Sequence, residues 1–356
     1  MEERLLQWRQ MLRRPDEKAR RAAKAQWDSI AKPLGSLGVL EKLVMDIAAL
    51  TGDPAVDISR RAVVVCCADN GVVAEGVTQT GQEVTARMAA EMTHMNSSVC
   101  KMAAAAHADV IPVDMGMIQR VEGVLDRHVM DGTQDLARRP AMTREQAMAA
   151  LSAGVELVKT LREQGYTLLV SGEMGIGNTT TSSALVAAML NLPAETVTGR
   201  GAGLSDAGLQ RKIWAIERAI AVNRPDPKDP LDVLSKLGGL DICGMAGLFI
   251  GGAICGVPVI IDGFISAVAA FMAQKLCPGC EISMLASHCS AEPAARRVLT
   301  VLNKNPILFA NMRLGEGTGG VCLLPLLDMA LAVYGGRSTF DSVGIDAYTP
   351  QGGAPC

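Results

Sequence analysis

The sequence predicts an α/β protein with a mostly parallel, Rossmann-like sheet flanked by helices, and a small helical domain made by the two ends of the chain. Short apolar runs rich in β-branched residues alternate with longer Ala- and Met-rich stretches of helical character. Four runs, RAVVVCCADNG, ADVIPVDMG, YTLLVSGEMG and VPVIIDGFIS, each reach an acidic residue and then a glycine. This rhythm is typical of βα units in a sheet that is buried on both faces.

The two ends of the chain differ from this βα region. Residues 1–60 are predicted to be helices around the turn-like stretch KPLGSLGVLEKL, and the chain returns to helix after residue 323. We therefore predict that residues 1–60 and 324–356 form the small helical domain, and that residues 61–323 form the large α/β domain with the active site. The stretch NRPDPKDP is the clearest Pro-rich connection.

Composition excludes several classes of partner. The chain has 356 residues, 49% of them hydrophobic, and a net charge of -3, so no broad basic field is available to bind nucleic acid or an anionic membrane. No stretch of about 18 apolar residues predicts a transmembrane helix. Ten scattered cysteines without a secretory signal favour the reducing cytoplasm. The single CPGC motif lacks a second ligand pair, so no metal site is predicted.

Acidic residues stand at the ends of the four predicted strands: Asp69, Asp114, Glu173 and Asp262. Ligands of open parallel sheets bind at the carboxyl ends of the strands, so this pattern predicts a single crevice there. The alternative for each acid is that it caps the helix that follows.

Two glycine-rich stretches are candidates for phosphate binding. SGEMGIGNTTTSSAL follows a strand and opens an Ala-rich helix, and the amides at such a helix N-terminus suit phosphate. It is neither a Walker loop nor a GxGxxG fingerprint. TGRGAGLSDAGLQRK adds glycines and a cation, Lys212, although this stretch alone is a weak signal.

The stretch ASHCSAE offers Ser287, His288 and Ser290 together. A serine hydrolase is not favoured, because neither serine stands in a GxSxG elbow and no acid partner for His288 is evident. Helix capping or contact with phosphate is the favoured interpretation.

RLGEGTGG encloses one carboxylate, Glu316, among four glycines and a threonine. Glycine is usually kept where the chain bends sharply or approaches a ligand closely. The pattern indicates a carboxylate that is held at a defined position.

Taken together, these motifs resemble the nicotinate-nucleotide:dimethylbenzimidazole phosphoribosyltransferase family. The resemblance spans nearly the whole chain and includes KPLGSLGVLEKL, CADNGVVAEGV, GEMGIGNTTTSSA, GRGAG, SHCSAE and RLGEGTGG. It implies that an aromatic base attacks C1′ of nicotinate mononucleotide, nicotinate leaves, and an α-linked ribotide 5′-phosphate forms for cobamide biosynthesis. No cofactor is implied.

The resemblance also implies roles for individual residues. Glu316 matches the general base of the family, and Glu173 matches a second acid that supports the ribosyl centre or the protonation state of the base. Desolvation should raise the pKa of Glu316. The implied pocket for the aromatic base comprises Thr80, Met88, Met174, Asp262 and Leu314. The implied phosphate and ribose site comprises Gly175, Gly177, Asn178, Thr179, Gly201, Lys212 and Ser290.

Departures from the family pattern bear on the substrate. Thr80 and Met88 stand where serine and glutamine are common, Met174 replaces a leucine, and Asn70 replaces the histidine of ADHG. A thioether cannot hydrogen-bond an imidazole nitrogen as an amide can. This favours phenol or p-cresol as an acceptor, whereas the alternative is that Met88 only fills the core. With 3% aromatic residues and 19 methionines, methionine and aliphatic side chains should line the ring pocket.

Two other functions are considered. The chain could be a non-catalytic or weakly active paralogue that binds ribotide and supports a catalytic partner, but it retains both Glu316 and Glu173. A nucleotide-cofactor dehydrogenase lacks its fingerprint here. The resemblance implies a dimer, either a homodimer or a heterodimer with a paralogue.

Overall fold

The structure is a computed structural model that describes residues 1–349. Over this range it contains six β-strands and fifteen α-helices. The strands are β1 Arg61–Ala68, β2 Asp109–Gly116, β3 Leu125–Asp126, β4 Leu168–Met174, β5 Val259–Ile261 and β6 Met284–Ala286. The helices are α1 Glu2–Met11, α2 Glu17–Ser29, α3 Val39–Thr51, α4 Glu83–Thr93, α5 Ser98–Ala105, α6 Arg144–Glu163, α7 Asn178–Leu190, α8 Ala194–Val197, α9 Asp206–Asn223, α10 Pro230–Leu237, α11 Leu240–Cys255, α12 Phe264–Leu276, α13 Ala295–Val301, α14 Thr318–Tyr334 and α15 Phe340–Val343.

The strands form one parallel sheet in the order β3-β2-β1-β4-β5-β6. This confirms the predicted parallel α/β fold. The strand order reverses direction between β1 and β4, and open α/β sheets with this order bind ligands beside that switch point, outside the carboxyl ends of the strands. The strands β3 and β6 were not predicted, because each lies in a shorter apolar stretch than the VPVII run that predicted β5.

Helices cover both faces of the sheet, because successive side chains of its strands point to opposite sides. In β1, Val64 and Cys66 belong to the core that includes α6, α11 and α12, whereas Val63 and Val65 belong to the core under α3, α4, α5 and α14. Both faces of β1 are therefore apolar, as its continuous hydrophobic run predicts.

The N-terminal helices pack against the C-terminal part of α14. Trp27 of α2 stacks at a tilt on Tyr334 of α14, with 4.9 Å between ring centroids, and the side-chain amide of Gln26 donates to the Tyr334 carbonyl. These contacts bring the two ends of the chain together. The division into two domains stays a prediction, and its boundary at residue 323 falls inside α14.

None of the helices between residues 1 and 349 is long and apolar enough to cross a membrane. The cysteines that the structure describes are free thiols, and Cys277 and Cys280 of the CPGC turn are fully buried. Within the same residues, no group of three or more His, Cys, Asp or Glu side chains is arranged to hold a metal ion.

Candidate active site

A cavity of about 310 Å³ opens at the carboxyl edge of the sheet. The end of β4 and the start of α7 form one wall, and the segments that follow β5 and β6 form another. A glycine-rich loop around residues 200–202 and the segment just before α14 close the remaining sides. The volume is at the low end of the range for small-molecule sites.

Most of the residues predicted for the site line this one cavity. They are Thr80, Glu173, Met174, Gly175, Gly177, Asn178, Thr179, Gly201, Asp262, Ser290 and Leu314. The remaining three, Glu316, Met88 and Lys212, do not line it. The chemical roles of all these residues stay predictions.

Glu173 is a buried carboxyl at the end of β4, with 7% of its surface exposed. Its Oε2 accepts a hydrogen bond from the side-chain amide of Asn178, at the start of α7. Burial raises the pKa of Glu173 well above its usual range; the Asn178 hydrogen bond opposes this, and the charges of Asp241, Asp262 and Glu316 add to it. The site therefore holds a carboxyl whose ionisation is costly.

Asp262 anchors the segment that contains Glu316. Its two carboxylate oxygens accept backbone N–H groups at the start of α14, from Gly317 at 3.2 Å and Gly320 at 2.8 Å. Burial raises the pKa of Asp262, while nearby His288 and these amides oppose the rise. Asp262 thus lines the cavity and also caps α14. It does not cap α12, the helix that follows it in the chain, as the alternative for strand-end acids expects.

Glu316 lies in left-handed backbone between two left-handed glycines: the φ angles of Gly315, Glu316 and Gly317 are 89°, 61° and 91°. Only 4% of Glu316 is exposed, and its Oε2 accepts the backbone N–H of Val99 at 3.2 Å. Burial raises the pKa of Glu316, which is the direction that the sequence argument expects. The flanking residues Gly315 and Thr318 line the cavity, so the carboxyl lies directly behind its wall.

Lys212 lies behind the part of the cavity wall formed by Thr179 and Gly201 and does not face solvent. It is completely buried, and its Nζ donates to Thr179 Oγ1 at 2.8 Å and to the Gly199 carbonyl at 3.1 Å. Burial lowers the pKa of Lys212 to about 8. A side chain at Gly201 would begin 3.5 Å from Nζ, so only this glycine and Thr179 separate the cation from the cavity.

Met88 lies on the flank of α4 and is half-buried. The fully buried positions Thr85, Ala89 and Met92 face inward, and Thr85 Oγ1 accepts the backbone N–H of Ile176 from the cavity wall. Met88 precedes Ala89 directly, and consecutive residues of a helix point in different directions, so its side chain does not lie on that face. The structure therefore gives no contact between this thioether and the cavity.

Of the four strand-end acids that were predicted to share one crevice, Glu173 and Asp262 line the cavity and the other two do not. Asp114 accepts the Met117 N–H at 2.8 Å and pairs with Arg120, and Asp69 accepts the Ile118 N–H at 2.8 Å. Both acids stabilise the turn after β2, on the other side of β1. The expectation of one crevice for all four acids was wrong.

Several cavity residues were not predicted as site residues. His288 lines the cavity with Phe264, Arg200 and Arg313, and its Nδ1 lies 4.0 Å from Asp262 Oδ1. The neighbouring Ser287 donates to the Ile261 carbonyl at 2.7 Å, which makes it a structural residue. All four residues stand inside motifs that the sequence analysis quotes: His288 in SHCSAE, Arg200 in GRGAG, Arg313 in RLGEGTGG and Phe264 in VPVIIDGFIS. None of these motifs shows by itself which of its side chains reaches the cavity.

The fold and the cavity define an α/β protein of Rossmann strand order that binds a small ligand between a helix N-terminus and buried carboxyls. A family model described as "Phosphoribosyltransferase" matches residues 12–345. The nicotinate-nucleotide–dimethylbenzimidazole phosphoribosyltransferase of Acetivibrio thermocellus is 44% identical over 326 residues, which cover 91% of this chain and 93% of the relative. The enzyme of the same name from Geobacter metallireducens is 42% identical over 327 residues, 91% of this chain and 93% of the relative.

Solved structures agree with these relatives. A crystal structure of CobT from Thermus thermophilus has a TM-score of 0.87 and 40% identity, and the match covers 92% of this chain and 99% of that one. The chain belongs to the nicotinate-nucleotide–dimethylbenzimidazole phosphoribosyltransferase family.

Proposed function

We propose that this chain transfers ribose 5-phosphate from nicotinate mononucleotide to an aromatic lower-ligand base, and so forms an α-ribotide and nicotinate for cobamide biosynthesis. The curated relatives carry this activity in their names. The observation that carries the proposal is that the Glu173 carboxyl and the amino end of α7 face the same cavity. A helix N-terminus suits the 5′-phosphate, and a carboxylate suits the positive charge of the reacting sugar.

The proposed step is a single displacement at C1′. A ring nitrogen of the incoming base forms a bond to C1′ as the bond from C1′ to the pyridinium nitrogen breaks. The electron pair of the broken bond returns to that nitrogen, which loses its positive charge, and nicotinate leaves with its carboxylate still ionised. The incoming ring becomes more acidic and loses its N–H proton to Glu316. Burial raises the pKa of Glu316, so this carboxylate accepts a proton more readily than an exposed one.

The proposed phosphate site uses the amides at the start of α7. Its N-cap residue, Gly177, has a φ of 95° and provides no side-chain cap. Lys212 adds a positive charge behind Thr179. Asn178 and Ser290 border the same space and can donate to the ribose or phosphate.

The acceptor base is proposed to lie against Met174, Leu314 and Thr80, which line the cavity. Phenol or p-cresol remains the alternative acceptor. The sequence argument for a phenolic acceptor depends partly on Met88, which does not line the cavity. Incubating the purified chain with nicotinate mononucleotide and equal amounts of 5,6-dimethylbenzimidazole and p-cresol tests both points. Mass spectrometry should show nicotinate and the benzimidazole ribotide, and absence of any ribotide would contradict the proposed function.

Dimerisation is proposed from the resemblance alone. Apolar side chains of the segment before α14 are exposed, with Phe309 at 67% and Leu314 at 57%, as expected of a surface that a second subunit covers. Light scattering on the purified chain should give twice the monomer mass. A monomer that dimerises only after a paralogue is added would replace the homodimer with a heterodimer.

A further inference from the structure

A buried carboxyl outside the proposed mechanism lies directly beneath the cavity. Asp241 is the second residue of α11, has no exposed surface and does not line the cavity. No ion pair to Asp241 occurs within residues 1–349. A buried carboxylate without an ion-pair partner lowers the stability of the folded protein, so its presence suggests a functional role.

Asp241 is linked to Glu173 through a single side chain. Asn178 Nδ2 donates to Asp241 Oδ2 at 2.9 Å, and the same amide nitrogen donates to Glu173 Oε2. The other oxygen of Asp241 accepts the backbone N–H of Ile242 at 3.0 Å. The amide of Asn178 therefore donates one hydrogen to each of the two carboxyls, and this fixes its side chain in one orientation.

Asn70 and Gly175 also lie beside the Asp241 carboxyl. A Cβ atom on Gly175 would lie 2.5 Å from Asp241 Oδ2 and 3.0 Å from Asn70 Nδ2. Thr181 Oγ1 donates to Asn70 Oδ1 at 3.3 Å. The Asp241 carboxyl is therefore packed among Asn178, Asn70 and Gly175 and has no contact with solvent.

The charges of the two carboxyls are coupled. Burial raises the pKa of Asp241 to about 6 and raises the pKa of Glu173 further, with the Asp241 charge adding to the rise. The other titratable groups facing Asp241 are Cys66 of β1 and Cys243 of its own helix. A negative charge on either carboxyl therefore opposes ionisation of the other.

We propose that Asp241 is a positioning residue for the transfer reaction: through Asn178 it holds the Glu173 carboxyl at the cavity and sets the charge that this carboxyl carries. The reaction itself rests on the proposed function. The link between the two carboxyls does not, since it follows from their contacts alone.

The test is an infrared titration of buried carboxyls in the purified chain without substrate, in which loss of the band in Glu173→Gln assigns it to Glu173. Asp241→Asn keeps the shape but removes a negative charge, so the Glu173 midpoint should move about one pH unit lower. Asn178→Ala removes the hydrogen bond that favours the ionised form, so the midpoint should move higher. If one of the two variants folds poorly, the shift of the midpoint in the other still tests the proposal.

Asp69→Asn is the matched control, because Asp69 is another buried acid but has no hydrogen bond to Asn178. It should leave the Glu173 midpoint in place. An unchanged midpoint in Asp241→Asn would overturn the proposal. So would an equal loss of kcat/KM at every pH, because a merely structural role lowers activity without moving the pH profile. A wild type that titrates as expected but makes no ribotide would count against the proposed function alone.

Discussion

At the scale of single residues, Glu316 combines strain with burial. A non-glycine residue at a φ of 61° is unfavourable and persists only where its surroundings impose it. Here the surroundings are the Asp262 carboxylate, which holds the amide of Gly317, and the Val99 amide, which holds the Glu316 carboxyl. The strained backbone and these hydrogen bonds hold the Glu316 carboxyl in one direction, as expected of a general base.

Replacing Glu316 with glutamine should lower kcat by about 100-fold or more, because general-base catalysis typically contributes 10²–10⁴. The amide has nearly the same size and can still accept the Val99 N–H, so the fold should survive. Steady-state ribotide formation measures the effect. Glu217→Gln, an exposed change on α9, is the control, and equal activity of the two variants would remove Glu316 from the mechanism.

Replacing Lys212 with methionine should raise the KM for nicotinate mononucleotide by about tenfold or more, because a charge-assisted contact near phosphate is lost. The KM for the acceptor base should stay within about twofold, since the lysine stands behind the phosphate wall. Lys304 offers a control, because it is half-buried and burial lowers its pKa to about 8, yet its Nζ donates to the carbonyls of Glu281 and Met284. Lys304→Met should lower stability and leave both KM values unchanged.

At the scale of elements, two helices begin at the cavity with a left-handed glycine as N-cap: Gly177 for α7 and Gly317 for α14. Neither helix has a cap from its N-cap side chain. Asp262 satisfies amides of α14, and no carboxylate within residues 1–349 does the same for α7. An anionic ligand is therefore expected at α7, while α14 serves to position Glu316.

The close approach of α14 to the sheet predicts that Gly319→Ala is destabilising. Its Cβ would overlap the His288 ring and lie 2.9 Å from Asp262 Oδ1, so α14 must move. We expect a loss of about 2 kcal/mol in the free energy of unfolding, measured by denaturant titration, together with lower activity. Gly335→Ala at the other end of α14 meets only the Leu331 carbonyl at 3.4 Å and should change stability by less than about 0.5 kcal/mol.

The sequence was informative wherever a local pattern determines a local structure. Apolar runs predicted β1, β2, β4 and β5, and glycine-rich motifs predicted the walls of the cavity. Side-chain direction on a helix was less predictable, so Met88 was assigned to a pocket that its face of α4 does not reach. Pairing across the fold was not predictable at all: the link from Asp241 to Glu173 joins residues 68 positions apart through a third residue.

At the scale of the whole molecule, charge is distributed unevenly. The net charge of -3 does not reveal that Glu173, Asp241, Asp262 and Glu316 are all buried around one cavity. The pKa of each of these four carboxyls is raised, with burial as the main cause. Such a cluster favours a positively charged ligand, and a pyridinium nucleotide or an oxocarbenium-like transition state satisfies this requirement.

The same cluster predicts that stability falls as pH rises through the weakly acidic range. These carboxyls have higher pKa values in the folded state than in the unfolded one, so the folded state binds protons more tightly. Their contribution to stability is therefore fully present below about pH 4 and is lost as pH rises through the folded-state pKa values. For Asp241 the rise from 3.8 to about 6 corresponds to about 3 kcal/mol.

Unfolding by denaturant at a series of pH values should therefore give a free energy that decreases between about pH 4 and 6, and the decrease should be smaller in Asp241→Asn. The control is Asp57→Asn. Hydrogen bonds from Ser59 lower the pKa of Asp57, so its contribution to stability is lost only as pH falls further, and this variant should keep the wild-type slope between pH 4 and 6. A wild type whose stability rises with pH through that window would show that the four buried carboxyls find compensating charges, and would contradict the electrostatic account of the site.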